Sequence, residues 1–192
     1  MRRVAAVLLL AGRLAFASEP ANLAVGQVVE RQISRMQAHE YSIAMHAGEY
    51  AGFLLRHRGI DFTARAVAPD GTTVEFKVPQ RPGDEATAGF VASHAGSHRL
   101  QIRASYLGTA GLYAVGLAEI RQATDHDRRL YEALTLGNES ERLADAKRYR
   151  EATAAAARAA EVLERELGPQ DVIRIWLSTF SCPMWETRPK RR

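Results

Sequence analysis

The chain has 192 residues, 46% hydrophobic and 25% charged, the balance of a folded protein and not of a disordered one. A single cysteine, Cys182, excludes an intrachain disulfide and a cysteine-rich zinc module. The formal charge of +4, from 26 Lys and Arg against 22 Asp and Glu, sits mostly at the two ends. Arg2, Arg3 and Arg13 lie in the first 17 residues, which hold no acid, while Arg188, Lys190, Arg191 and Arg192 crowd the last five. A nucleic-acid binder carries its positive charge on the folded surface, so this distribution argues against that partner.

Met1-Arg2-Arg3 makes a short positive start, residues 4–12 form an apolar run, and Ala15-Phe16-Ala17 fits a small-x-small cleavage pattern. Together they read as a secretory signal peptide over residues 1–17, which predicts a mature chain beginning at Ser18 and export to the periplasm or beyond. The apolar run is too short for a permanent membrane anchor.

Residues 24–120 read as β. Tyr41, Ile43 and Met45 alternate with polar neighbours, as do Thr72, Val74, Phe76 and Val78, then Leu100, Ile102 and Ala104, then Tyr113, Val115 and Leu117. Period two with one apolar face marks half-buried strands. Phe53-Leu54-Leu55 is apolar on both faces and suggests a central strand. Turn signals stand between the strands, among them Arg58-Gly59, Pro69-Asp70-Gly71, Arg81-Pro82-Gly83-Asp84 and Ala95-Gly96-Ser97. Seven or eight short strands at this spacing predict an antiparallel, jelly-roll-like sandwich able to fold by itself, with Phe53, Leu55, Phe76, Leu100, Ile102 and Val115 in its core.

The period changes near residue 121. Thr124, followed by Asp125 and Asp127, marks a helix start with acids against the positive end of the dipole. Asn138, with Glu141 three residues on, suggests a second cap. Over residues 148–167 the small stripe Ala152, Ala155, Ala156, Ala159, Val162 and Leu163 predicts a helix packed tightly against another, ended by Gly168-Pro169. The whole is thus α+β: a sandwich over 24–120, a helical hairpin over 124–168, and an incomplete unit with a basic tail over 169–192.

The stretches "GQVVERQI", "AHEYSIAMHAGEY", "RGIDFTARAVAPDGT" and "AGSHRLQIRA" resemble, in that order, the pre-peptidase-C-like β-domain found near the N-terminus of exported bacterial multidomain proteins. "AKRYREATAAAARAAEVLERELGPQD" resembles the longer tetratricopeptide repeat, with Tyr149, the small residues Ala152, Ala156 and Ala159, and the closing Leu167-Gly168-Pro169. Glu139 and Ser140 depart from it, standing where that repeat prefers leucine and glycine. The two in sequence resemble the region upstream of caspase-like CHAT protease domains. That family's catalytic His and Cys lie far downstream, and Ser181-Cys182-Pro183-Met184 does not match its catalytic segment, so the resemblance implies no catalytic residue here.

His94 and His98 are four apart, a spacing that serves a metal on a helix, but Gly96 between them reads as a turn, which favours separate roles. His39, His46 and His57 are expected at solvated strand ends. Asp61 reads as a loop cap, with a cation site shared with Asp70 as the less favoured role. No G-x-S-x-G, P-loop, H-E-x-x-H or dinucleotide motif is present. The expectation is an exported, non-enzymatic scaffold without cofactor or catalytic residues, binding a protein or itself through its helical end. A regulatory or targeting part of a CHAT-type protease system, and a carbohydrate- or surface-binding sandwich, are the alternatives. One or two repeats cannot bury their own apolar face, so Ile173, Trp176, Leu177, Phe180 and Trp185 are the candidate interface.

Overall fold

The computed structural model describes residues 20–76, 78, 81–106 and 110–168; the leader, the proposed cleavage site and the candidate interface residues lie outside them. Among the described residues nine strands precede two helices: β1 (Ala21–Asn22), β2 (Val28–Ser34), β3 (Ala38–Met45), β4 (Glu49–Arg58), β5 (Phe62–Val67), β6 (Thr73–Phe76), β7 (Glu85–Val91), β8 (Gly96–Ala104), β9 (Ala110–Gln122), α1 (Asp125–Asp145) and α2 (Tyr149–Leu167). One sheet has the order β1-β3-β8-β5-β6 and the other β2-β9-β4-β7. Strands β2 to β9 pair as nested antiparallel partners, β2 with β9, β3 with β8, β4 with β7 and β5 with β6. That nesting, rolled into two sheets, is a jelly roll. The short β1 adds to it, parallel to β3.

The alternation read from the sequence fills the space between the sheets. Phe53, Leu55, Phe76, Leu100, Ile102 and Val115 are each at most 3% exposed. The Phe53 ring lies 6.0 Å from Phe76 and 5.9 Å from Phe90, so β4, β6 and β7 meet through aromatic rings. The strand apolar on both faces, β4, is interior to its sheet. Pro69-Asp70-Gly71 joins β5 to β6 as expected: the Gly71 N–H donates to Ala68 O, the Thr72 N–H donates to Asp70 Oδ1, and Gly71 takes φ +85°.

Two sequence expectations are corrected here. Asn138 caps no helix; it lies inside the 21-residue α1. Its side-chain amide acts as a strand partner for the outer edge of β6: the Glu75 N–H donates to Oδ1 (2.7 Å) and Nδ2 donates to Glu75 O (3.1 Å). Tyr131 and Leu134 of the same helix pack on the sandwich core. α1 therefore lies across the side where β6 and β7 are the edge strands, and covers apolar surface and backbone groups together. Asn138→Ala should cost about 1–2 kcal/mol, two hydrogen bonds of ordinary worth, and should speed amide exchange at Glu75. Unchanged exchange there would show that the latch carries no weight. His57, expected at a solvated strand end, stands at the end of β4 but is only 3% exposed.

The expected start of α1 is present. Thr124 and Asp127 form a reciprocal capping box, the Asp127 N–H donating to Thr124 Oγ1 and the Thr124 N–H to Asp127 Oδ2. α2 ends at Leu167, and Gly168 follows with φ +84°. The helices run antiparallel with small residues in register. Ser140 Oγ donates to Ala152 O at 2.9 Å, and the same register sets Gly137 opposite Ala155 and Ala133 opposite Ala159. All six are buried. At the far end of this seam Glu166 accepts from His126 (2.8 Å) and from Arg129, clamping the end of α2 to the start of α1. The close packing expected from the alanine stripe is thus found, with α1 as the partner.

Candidate functional site

Where the hairpin leans on the edge of the jelly roll it leaves a groove of about 460 Å³. Its floor is β7, through Ala86, Thr87, Ala88 and Gly89, with Tyr50 of β4 beside them. One wall is α1, through Leu130, Tyr131, Ala133 and Leu134. The other is the end of α2, through Ala159, Leu163 and Leu167. Most of these side chains are half-buried and apolar, a lining suited to a hydrophobic occupant.

Small residues on β7 make the groove. The Tyr50 ring lies across Gly89 so closely that a Cβ there would meet its hydroxyl at 2.2 Å. The Arg121 guanidinium covers the Tyr50 ring, 4.6 Å from its centroid. Arg121 also holds Asp127 with two hydrogen bonds, of 2.5 and 3.1 Å, and donates to Glu119 at 3.0 Å. The Arg121 contact and, after it, the Thr124 hydrogen bonds keep the Asp127 carboxyl well below the usual carboxylate range against the opposing effect of burial. Burial first, then the charges of Asp127 and Glu119, push the Tyr50 phenol up. Two polar side chains of the lining are engaged within the chain: Asp127 with Arg121 and Thr124, Asn138 with the Glu75 backbone. What the groove offers an occupant is mainly apolar surface.

The sequence-predicted histidines and acids do not converge on this groove. His94 is exposed, with Nδ1 3.4 Å from Asp70 Oδ2, whereas His98 is fully buried against Phe90, so the two share no site. Asp61 accepts from His57 Nε2 at 2.9 Å, and His57 Nδ1 accepts the Gly59 N–H, so both ring nitrogens of His57 are engaged. Asp61 and Asp70 lie at opposite ends of β5 and make no common cation site. Among the described residues no group of three or more His, Cys, Asp or Glu could hold a metal ion. His39 Nδ1 lies 2.8 Å from the Tyr113 hydroxyl, which lies 2.5 Å from that of Tyr41, a buried polar cluster between the sheets. Burial and the Tyr41 hydrogen bond hold the Tyr113 phenol far above its ordinary value.

Desolvation lowers the pKa of both His39 and His98 from the ordinary 6.5, helped at His39 by the Arg31 charge and opposed at His98 by Gly96 O and Asp70. The folded state therefore binds fewer protons than the unfolded chain as the pH falls through about 6.5. Stability from these groups is full above that value and drains as the pH drops toward their lowered folded values. His98 Nδ1 faces Gly96 O, which leaves Nε2 to take the added proton, and that atom is buried with no hydrogen-bond partner among the described residues. Melting temperature should fall between pH 7 and pH 5, and His98→Leu should flatten that slope. A profile level through that range would contradict the assignment.

No sequence pattern marks Tyr50, Gly89, Leu130 or Leu134 as site residues, because β7 lacks large alternating side chains and α1 carries no clean apolar stripe. The sequence places Leu163 only on the stripe between helices.

No protein-family model and no curated protein sequence matches the chain. Among solved structures it is similar to PliG of Salmonella Typhimurium, a periplasmic lysozyme inhibitor of g-type lysozyme (12% identity, 53% of this chain, 97% of that one, TM-score 0.42). It is also similar to PliG of Aeromonas hydrophila (10%, 53%, 96%, TM-score 0.38). A third is the pre-peptidase C-terminal domain of a Bacillus anthracis collagenase (16%, 54%, 95%, TM-score 0.38), which bears the name of the family that the strand motifs resemble. Similarity of this order transfers neither partner nor activity to the chain.

Proposed function

We propose that the chain is an exported, non-enzymatic module that binds another protein at its helical end. The observation that supports this reading best is the groove between β7, α1 and α2: large enough for several apolar side chains, lined mainly by apolar surface, and with Asp127 and Asn138 already hydrogen-bonded within the chain. Such a site favours an apolar or amphipathic protein segment over a charged small molecule, which would find few free partners. The jelly roll is then a rigid platform, and the hairpin, similar to a tetratricopeptide unit in its small-residue seam, is the wall that shapes the site. Ile173, Trp176, Leu177, Phe180 and Trp185 extend the apolar character of this end in sequence. A partner of this class also suits a regulatory or targeting role beside a CHAT-type protease, the arrangement that the motifs resemble.

Export rests on the pattern of residues 1–17. N-terminal sequencing of secreted material should return Ser18 as the first residue, whereas intact Met1 protein held wholly in the cytoplasm would overturn it. Binding is tested by capture from the exported fraction with the wild-type chain and with Thr87→Arg, which puts a charge over the floor of the groove from an exposed strand position. One partner's recovery should fall about tenfold, the loss produced by some 1.4 kcal/mol. Equal recovery of the same proteins by both baits would remove the groove from the account.

A further inference from the structure

The floor of the groove is also the edge of a sheet. β7 ends the order β2-β9-β4-β7 and pairs with β4, from Val91 opposite Tyr50 to Glu85 opposite Arg56, without a shift of register. Along an antiparallel pair, residues that exchange backbone bonds with the partner strand alternate with residues whose N–H and C=O point away from it. Bonds just beyond the two ends of this ladder fix the phase: the Ala92 N–H donates to Glu49 O (2.8 Å) and the His57 N–H to Asp84 O (3.1 Å). Ala86, Ala88 and Phe90 therefore face β4, and Thr87 and Gly89 turn their backbone groups outward along the groove floor. Among the described residues no strand, turn or side chain bonds these outward groups. Two other edges are managed differently. The Asn138 amide holds the outer groups of β6, and β2, the opposite edge of the same sheet, carries Glu30 and Arg31 in the open. Ala86-Thr87-Ala88-Gly89 has neither latch nor charge, and lies between the walls of α1 and α2. An edge of this kind is a template for strand pairing.

We infer that the groove takes a partner's segment as an extended strand, added to the free edge of β7 and bonded through the N–H and C=O groups of Thr87 and Gly89. The inference rests on the reading of the groove as a protein-docking site and gives its occupant a conformation. Strand addition draws affinity from main-chain bonds and selectivity from the pockets that alternate side chains enter. One alternate set of the added strand's side chains enters the groove, against Phe76, Leu130, Leu134 and Leu163, and is apolar. The four floor residues span about 13 Å at the rise of a strand, room for four or five residues of the partner. Charge sets the flank. Glu141 lines the groove beside Asn138, and Asn138 holds the backbone of Glu75, so two acids mark that end. Among the described residues no Lys or Arg lines the groove. A basic residue next to the paired segment complements this end. The occupant is thus an extended segment of alternating apolar residues with a Lys or Arg at its flank.

The probe is a synthetic, end-capped peptide, Lys-Val-Thr-Val-Thr-Val, added to the full chain and followed by backbone NMR and amide exchange. Exchange at Thr87 and Gly89 should be fast in the free chain and slow at least about tenfold with peptide, while Ala88, bonded to β4, stays protected throughout. A strand lends one edge to β7, so N-methylation of the peptide's valines or of its threonines should abolish binding in one case and spare it in the other. Thr87→Pro removes an outward N–H without breaking a bond to β4, a position where a strand tolerates proline. It should weaken the peptide about tenfold, and Thr87→Val, which keeps the N–H, should bind it like the wild type. Should Thr87→Pro fail to fold, the methylated peptides deliver the test in the unaltered chain. Absence of protection at millimolar peptide, or binding that both methylated peptides retain, overturns the inference. So does protection of both amides before peptide is added: in a dimer it assigns the edge to a second copy, and in a monomer to a bond within the chain. In each of these cases partner recovery that still falls with Thr87→Arg leaves the proposed function standing.

Discussion

Phe76→Ala should lower folding stability by about 3–5 kcal/mol, the range for emptying a buried phenylalanine site. Phe76 is 3% exposed, meets the Phe53 ring at a tilt with centroids 6.0 Å apart, and backs the groove from the core side. Its neighbours come from three sources, the two sheets and α1, and strands held in hydrogen-bonded register cannot collapse far into the space left behind. For a chain of this size the melting temperature should drop by roughly 6–20 °C. Thr73→Ala, at an exposed position of the same strand, should change stability by less than about 0.5 kcal/mol. A small effect at Phe76 beside a larger one at Thr73 would mean that β6 presents its other face to the core.

The second large effect belongs to the helix seam. Ala159 is 1% exposed and, by the register set through Ser140 and Ala152, stands opposite Ala133. Ala159→Leu drives a branched side chain between two backbones held close by small residues. It should cost about 1–3 kcal/mol, the usual penalty for overpacking. Ala154→Leu, on the exposed face of the same helix, has the same helical propensity to offer and no seam to disturb, so it should be close to neutral. A neutral Ala159→Leu would show that the helices stand far enough apart to accept a larger residue.

The sandwich was legible because its signals are local. Tyr41, Ile43 and Met45 alternate with more exposed neighbours, and Pro69-Asp70-Gly71 carries its turn chemistry within a few residues; Tyr113, Val115 and Leu117 belong to an interior strand whose residues between them, Ala114 and Gly116, are buried as well. The capping box at Thr124 and the stop at Gly168 are equally local. What escaped depends on partners distant in sequence. Nothing near Asn138 says that its amide will pair with Glu75, 63 residues earlier; an Asn followed at three residues by Glu carries the pattern of a cap, and only the arrival of β6 makes it a latch. β7 is short of large alternating residues because Tyr50 lies over Gly89, so the feature that forms the groove is the one that hides the strand. His57 reads as polar and exposed until Asp61 and the Gly59 N–H are seen to satisfy both its nitrogens.

The central claim is that an apolar protein segment docks between β7, α1 and α2. It is tested most directly by replacing Thr87 with a photoreactive side chain in the full, exported protein and locating the adducts by mass spectrometry, with the same group at Val28, an exposed position on the opposite edge strand β2, as the reference. The account predicts that position 87 marks one short apolar segment in the sequence of a single partner. Adducts scattered over many sequences at position 87, with the same distribution as at position 28, would contradict it.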